Sequence, residues 1–108
     1  METIEQIETQ IAEGLQSPQK AADLRVMLSA KYSRECGKLE EILKKKPLIW
    51  LEMRTTCKSV TETERMWEGS EMGTDEMIIK LRQKRIQVLI SSLSSFLRMK
   101  ENEAKNQY

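Results

Sequence analysis

The stretch Thr74–Met99, TDEMIIKLRQKRIQVLISSLSSFLRM, decides the fold class of this chain. Thr74 is a favourable N-cap residue, and Asp75 and Glu76 fall in the first turn, where the positive end of the helix dipole stabilises carboxylates. An inner stripe with helical spacing follows, formed by Ile78, Leu81, Arg85, Val88, Leu89, Ser92, Leu93, Phe96 and Met99. The pattern predicts one long amphipathic helix that begins at Thr74.

This helix carries a wide apolar surface, because Ile79, Ile86 and Ile90 flank its inner stripe. One neighbouring helix rarely covers a surface of that width. Upstream, Trp50 lies in the dense apolar run Leu48–Met53, which indicates burial on several sides or an oligomer contact. We therefore expect a homo-oligomer. Its interface is predicted to comprise Trp50, Ile78, Leu81, Leu89, Leu93 and Phe96.

The N-terminal segment, residues 1–16, predicts a short acidic amphipathic helix. Gly14 and the Ser17-Pro18 pair mark its end, since Ser is a good N-cap and Pro is tolerated at the first position of a helix. A second helix is therefore expected to start near Pro18. The apolar residues of the first helix lie on one stripe: Ile4, Ile7, Ile11 and Leu15.

Residues 17–100 are interpreted as a helical core with basic stretches, and residues 101–108 as a flexible tail. The second helix is expected to reach about Lys46, because Pro47 lacks an N–H donor and would break or kink a helix. A third helix would then begin at Pro47, and a loop with a short helical turn or two would fill residues 55–74. The predicted fold class is all-α, with long helices in a hairpin-like or bundle arrangement completed by homo-oligomerisation.

The formal charge of +1 conceals a strong alternation along the chain. Residues 1–23 carry a net charge of −4, and residues 24–58 carry +5. Residues 59–76 then carry −5, and residues 77–100 carry +6. The two basic segments are therefore the candidates for binding an acidic or phosphate-bearing partner.

Several classes of chemistry are excluded by the residues that the chain lacks or scatters. The sequence has no histidine, which removes the usual general base and metal ligand. Its four glycines are isolated, so no phosphate-binding loop is formed. Cys36 and Cys57 by themselves cannot supply the four ligands of a zinc site. We therefore expect a protein that is no enzyme and holds no metal or cofactor.

The sequence also indicates where the protein resides. The N-terminus METIEQIETQ is acidic and polar, unlike a secretory signal. No window approaches the roughly 20 consecutive apolar residues that span a bilayer. We expect a cytoplasmic protein without a membrane partner, in the host cytoplasm if it is phage-encoded.

The basic segments allow two interpretations. Lysine and arginine clusters neutralise phosphates and can bind nucleic acid without reading its sequence. They equally form solvated helix faces that pair with acidic segments within or between chains. Trp50 and Tyr32 can stack on unpaired bases, although Trp50 also suits a core or an interface. The clusters are Lys44, Lys45, Lys46, Arg54 and Lys58 in the first segment, and Lys80, Arg82, Lys84 and Arg85 in the second.

Four strings carry a family resemblance: VMLSAKY at residues 26–32, GKLEEIL at 37–43, RMWEGSEM at 65–72 and DEMIIK at 75–80. They resemble the phage recombination mediator family UvsY, with gaps, from about Leu24 to Asn102. The resemblance implies a helical protein that assembles into a ring, binds single-stranded DNA and needs no cofactor. It further implies a mediator that helps load a RecA-like recombinase onto strands covered by single-strand-binding protein.

The resemblance also points to the residues that would contact DNA. In that family, the DNA-binding basic residues follow the segment matched here by GKLEEIL. Glu52 stands where another basic residue would be expected. The implied contacts are Arg54, with Lys44, Lys45, Lys46 and Lys58 as neighbours.

A second hypothesis belongs to a different functional class. The alternating charges and the exposed-looking Met and Trp side chains also fit a helical protein–protein interaction module. A small phage-encoded inhibitor or assembly adaptor would be an example. Such a module binds no nucleic acid at moderate salt, which separates it from a recombination mediator.

Overall fold

The computed structural model describes residues 2–15 and 17–106. Within these ranges the chain forms four α-helices and no strand, which confirms the predicted all-α class. The helices are α1 (Ile4–Glu13), α2 (Pro18–Thr56), α3 (Val60–Gly69) and α4 (Glu71–Asn106). Met1 and Gln16 of the predicted N-terminal segment, and Gln107 and Tyr108 of the predicted tail, lie outside the described residues.

Two compact units divide the chain. Unit 1 consists of Met1–Ser33 and Lys84–Tyr108, and unit 2 consists of Arg34–Gln83. The long helices α2 and α4 pack against each other within each unit. The short helix α1 completes the core of unit 1, and α3 completes the core of unit 2.

The predicted N-terminal helix is confirmed as α1. Thr3 and Gln6 form a capping box, because each side chain accepts a hydrogen bond from the backbone N–H of the other, at 3.1 and 2.8 Å respectively. Gly14 ends the helix with a φ of 97°, which glycine adopts without steric cost. Ile7 is fully buried in the core of unit 1 with Ala21, Leu24, Leu28, Ile86, Leu89 and Leu93.

The predicted break at Pro47 is wrong, because α2 continues beyond it as one helix. Pro47 cannot donate the hydrogen bond that Leu43 O would accept. Both residues are exposed, so water can solvate that carbonyl group. Packing then maintains the helix against its local preference. Three side chains beyond the proline pack against the core of unit 2: Ile49, Trp50 and Met53.

The helix α3 occupies a segment for which the sequence predicted a loop with short helical turns. Ser59 precedes the helix in an extended conformation, and its side chain accepts a hydrogen bond from the Glu62 N–H at 3.1 Å. Thr63 and Trp67 are the buried residues of the helix. The serine cap and the acidic first turn are local helix signals in a segment whose many polar residues favoured a loop.

The helix α4 begins at Glu71, about one turn before the predicted start at Thr74. Ser70 provides the cap, since its Oγ accepts a hydrogen bond from the Gly73 N–H at 3.1 Å. Thr74 lies inside the helix, and its hydroxyl donates to Glu68 O at 3.3 Å. Ser70 and Thr74, four positions apart, are both acceptable N-cap residues, and the helix begins after Ser70.

The C-terminal end of α4 extends into the segment that the sequence predicted as a tail. The helix reaches Asn106, and residues 101–106 are exposed. Lys105 forms an ion pair with Glu101 at 3.5 Å, a spacing that favours helix. Local pairing, without core packing, therefore accompanies these last turns.

Candidate binding surface

Lys46 reaches the buried side of unit 2, where its Nζ donates to both carboxylate oxygens of Glu76 at 3.0 and 3.2 Å. The same carboxylate accepts a hydrogen bond from Trp67 Nε1 at 3.3 Å and lies 3.7 Å from Lys80 Nζ. Lys46 Nζ also lies 5.0 Å from the ring centroid of Trp67 and 5.9 Å from that of Trp50, within the range of cation–π attraction. These contacts join α2, α3 and α4.

The pKa of Glu76 is lowered although its carboxylate is buried. Burial alone favours the neutral acid and raises a carboxyl pKa. Hydrogen bonds from Lys46 and Trp67, together with the charges of Lys46 and Lys80, outweigh this effect. Glu76 is therefore held ionised inside unit 2, and the charge of Lys46 is used within the chain.

The structure does not bring the predicted DNA-binding cations onto one surface. Lys44 extends into solvent, but its Nζ lies 3.3 Å from Glu40 and 3.8 Å from Glu41. Lys45 leaves α2 on the opposite side from Arg54, since the residues between them make about two and a half helical turns. A ligand that contacts one face of α2 therefore reaches only part of the predicted set.

Lys45 and Lys58 are the exposed members of this set for which residues 2–15 and 17–106 supply no ion-pair partner. Lys45 lies in the middle of α2, and Lys58 lies in the loop that follows the helix. Arg54 is half-buried, and its Nη1 is buried without a hydrogen-bond partner in the described part of the chain. Within the predicted set, the exposed cations are therefore Lys44, Lys45 and Lys58.

The second basic segment is partly neutralised by acidic side chains of the same chain. In unit 2, Arg82 lies 3.8 Å from Glu35. In unit 1, Arg85 pairs with Glu5 at 3.4 Å and with Glu8. Its hydrogen bond to Glu8 and the charges of both carboxylates raise the pKa of Arg85. The acidic helix α1 thus pairs with a basic segment, as one of the two sequence interpretations expected.

The residues predicted to form an oligomer interface divide into three groups. Leu89 and Leu93 are buried in the core of unit 1, so a second copy cannot reach them in this fold. Phe96 and Trp50 are half-buried, the first against the core of unit 1 and the second against that of unit 2. The remaining two side chains are exposed: Ile78 and Leu81. Homo-oligomerisation itself stays a prediction.

Exposed large apolar side chains concentrate in unit 2. Among the described residues, unit 1 exposes Val26, Val88 and Met99. Contiguous apolar surface on a soluble protein marks contact sites, whereas single scattered residues do not. The larger group, in unit 2, comprises Leu43, Leu48, Leu51, Val60, Met66, Met77, Ile78 and Leu81.

Leu48 and Leu51 are surface residues that the sequence analysis did not single out. The dense run around Trp50 indicated burial on several sides or an oligomer contact, and within the chain the structure buries one side of the helix there. At 3.6 residues per turn, Leu48 and Leu51 share the face opposite to Ile49 and Met53. These two faces can be told apart only if α2 is known to continue through Pro47, and the sequence predicted a break there.

Comparisons with known proteins give no further assignment. No family model, curated protein or solved structure matches this chain. In the part of the chain that the structure describes, no three His, Cys, Asp or Glu side chains form a group able to hold a metal ion. No described helix is long and apolar enough to cross a membrane. The resemblance to the UvsY family stays a prediction.

Proposed function

We propose that this protein is a helical interaction module that works by binding another protein chain, without catalysing a reaction. The observation that carries the proposal is the concentration of exposed large apolar side chains in unit 2. Removing such surface from water is the main driving force of protein association. An inhibitor or assembly adaptor, such as a small phage-encoded one, acts in this way.

The charges of the chain support the same function. In the second basic segment Lys80, Arg82 and Arg85 lie within ion-pair distance of acids, and in the first segment Lys46 is paired with Glu76. A protein that binds nucleic acid mainly through phosphates keeps its cations free for them. Here the surface instead mixes exposed apolar groups with charges of both signs, which suits orientation of a protein partner.

Site-specific photo-crosslinking in the full-length protein tests the proposal. A benzophenone amino acid replaces Leu51 or Leu81, which are exposed apolar residues of unit 2, and Glu103 as an exposed control on α4. After irradiation in cells, we expect a discrete protein adduct from Leu51, Leu81 or both, and none from Glu103. Mass spectrometry then identifies the crosslinked chain.

Two results would contradict the proposed function. The first is that neither position in unit 2 yields a protein adduct. The second is that the Glu103 control yields the same adduct with the same efficiency. The second result means contact by random collision. Circular dichroism of each substituted protein verifies that the helices are retained.

The second candidate function is a single-stranded-DNA-binding recombination mediator that helps load a RecA-like recombinase. Its support is the resemblance to the UvsY family and the exposed cations Lys44, Lys45 and Lys58. Lys45 and Lys58 pair with no acid in the described ranges, so their charges are available to phosphates. Lys46 and Arg54 are no longer the preferred contacts, because both are half-buried and Lys46 is also paired with the buried Glu76.

Fluorescence anisotropy with a labelled single strand and a duplex, at two salt concentrations, tests this candidate. The mediator predicts salt-sensitive binding to the single strand that falls at least about tenfold in a triple variant of Lys44, Lys45 and Lys58 to alanine. A matched control removes the same charge elsewhere, by replacing Arg98, Lys100 and Lys105. Absence of binding at moderate salt, or equal binding by both variants, contradicts the mediator and leaves the interaction module.

A further inference from the structure

The outer face of α2 beyond Pro47 carries two neighbouring exposed leucines. Leu48 is 70% exposed and Leu51 is 62% exposed. Residues three apart lie on the same face of a helix, so the two side chains form one apolar surface. Burial of this surface requires a partner.

Opposite charges stand on either side of the leucines. Lys45 lies three residues before Leu48, and Glu52 lies next to Leu51. Both charged residues are exposed, and neither forms an ion pair with any residue that the structure describes. The face therefore reads basic, apolar, apolar, acidic along the direction of the chain.

We propose that this face binds a second copy of the chain, with the two α2 helices antiparallel. An antiparallel contact between identical faces is isologous, so each contact occurs twice. Leu48 then packs against Leu51 of the partner subunit, and the twofold axis generates the reciprocal pair. The inference rests on the proposed function and names the partner that the exposed leucines contact.

The register that places Leu48 opposite the partner subunit's Leu51 also brings opposite charges of the two subunits together. When Leu48 faces Leu51 of the partner subunit, Lys45 lies about 3 Å along the axis from the level of the partner subunit's Glu52. A lysine side chain spans that offset. Lys45 and Glu52 lie on the same side of the leucines. In an antiparallel pair of helices, residues on that side face the residues on the same side of the partner helix, so Lys45 faces the partner subunit's Glu52. Two ion pairs therefore border the two leucine pairs.

Charge order selects a second copy as the occupant of this face. Exposed ion pairs contribute little free energy, but they fix the orientation and the register of a contact. A reversed copy of the same face places basic against acidic at both ends. On α4 the same spacing occurs with the charges in the opposite order at Asp75, Ile78, Leu81 and Arg82. There, however, Arg82 already lies 3.8 Å from Glu35 of its own chain, whereas both charges that flank the leucines of α2 have no ion-pair partner in the described ranges. The contact is therefore assigned to α2, away from the helix that the sequence favoured.

Sedimentation equilibrium of the full-length protein over a range of concentrations tests the contact. We expect a monomer–dimer equilibrium whose Kd rises at least about tenfold in the variant L48E/L51E. The single charge reversals K45E and E52K are each expected to weaken the dimer. The double reversal K45E/E52K restores opposite charges across the contact and is expected to return the Kd to within about threefold of the original value. Val88→Glu, an exposed apolar position outside this face, is the matched control.

Three outcomes would overturn the antiparallel dimer. The protein would be monomeric at every concentration, L48E/L51E would dimerise as the original chain does, or the double reversal would fail to recover what the single reversals lose. All substitutions lie on exposed positions, and circular dichroism verifies that each variant is folded. A monomer that still crosslinks to another protein from Leu51 contradicts the dimer alone, whereas the absence of any protein adduct contradicts the proposed function as well.

Discussion

Lys46 and Glu76 form an ion pair at 3.0 Å that joins α2 to α4 in unit 2, with only 9% of the Glu76 side chain exposed. Trp67 Nε1 donates to the same carboxylate and brings α3 into the contact. A residue that lies in a basic run of the sequence thus acts as an internal partner. Within the run Lys44-Lys45-Lys46, the charge of Lys46 is thus paired inside unit 2, whereas its two neighbours are exposed.

Replacing Glu76 with glutamine is expected to lower the free energy of unfolding by about 1–3 kcal/mol, because Lys46 then lies partly buried without a compensating charge. Urea denaturation of the full-length protein measures the change. Glu68→Gln is the matched control, since Glu68 is exposed on α3, and it is expected to stay within about 0.5 kcal/mol. Equal stabilities of the two variants would show that the ion pair is not structural.

The Lys46–Glu76 ion pair is expected to contribute less to the free energy of unfolding as the pH falls. The pKa of Glu76 is lower in the folded protein than its ordinary value, so the pair adds stability above the unfolded pKa and loses it as pH falls through the folded one. The difference in unfolding free energy between the original chain and E76Q therefore shrinks on acidification from neutral pH to about pH 3. Other carboxyls titrate in both proteins and largely cancel. A difference that stays constant or grows contradicts the assignment.

Gly73 and Gly37 are expected to respond oppositely to alanine. A Cβ at Gly73 would lie 1.7 Å from Trp67 O and 2.6 Å from Trp67 C, and this backbone cannot move aside cheaply. Gly73→Ala is therefore expected to destabilise by at least about 2 kcal/mol. Apart from the local backbone of its own helix, no heavy atom lies within 4 Å of a Cβ at Gly37, so Gly37→Ala is expected to stabilise α2 by up to about 1 kcal/mol. Denaturant unfolding of both variants checks the signs, and a tolerated G73A would contradict the close approach.

Pro47→Ala is expected to stabilise the protein by about 1–3 kcal/mol, because alanine supplies the N–H that Leu43 O lacks and removes the clash of the proline ring. A more flexible unfolded chain offsets part of the gain. Thermal and urea unfolding, followed by far-ultraviolet circular dichroism, measure the effect. A destabilised P47A would show that the proline sets a backbone geometry that the packing of Trp50 requires.

Local features of the sequence carried much of the fold. The stripe through Ile7 and the glycine at position 14 predicted α1 correctly, because caps and helical periodicity involve residues within a few positions of each other. The start of α4 was displaced by about a turn, because Ser70 and Thr74 are both acceptable caps and local preference does not decide between them. The continuation of α2 through Pro47 was missed for another reason: it depends on contacts with α3 and α4.

The sequence by itself determined an all-helical chain, because periodicity and capping residues act over one or two turns, and it located two basic segments. The tertiary structure decided which charges stay available, since Lys46 meets Glu76 thirty positions away while its neighbour Lys45 remains exposed. It also decided that Leu89 and Leu93 lie inside and that Leu48 and Leu51 lie outside. Burial and ion pairing depend on which helices pack together, and the spacing of residues along one helix cannot specify its neighbour.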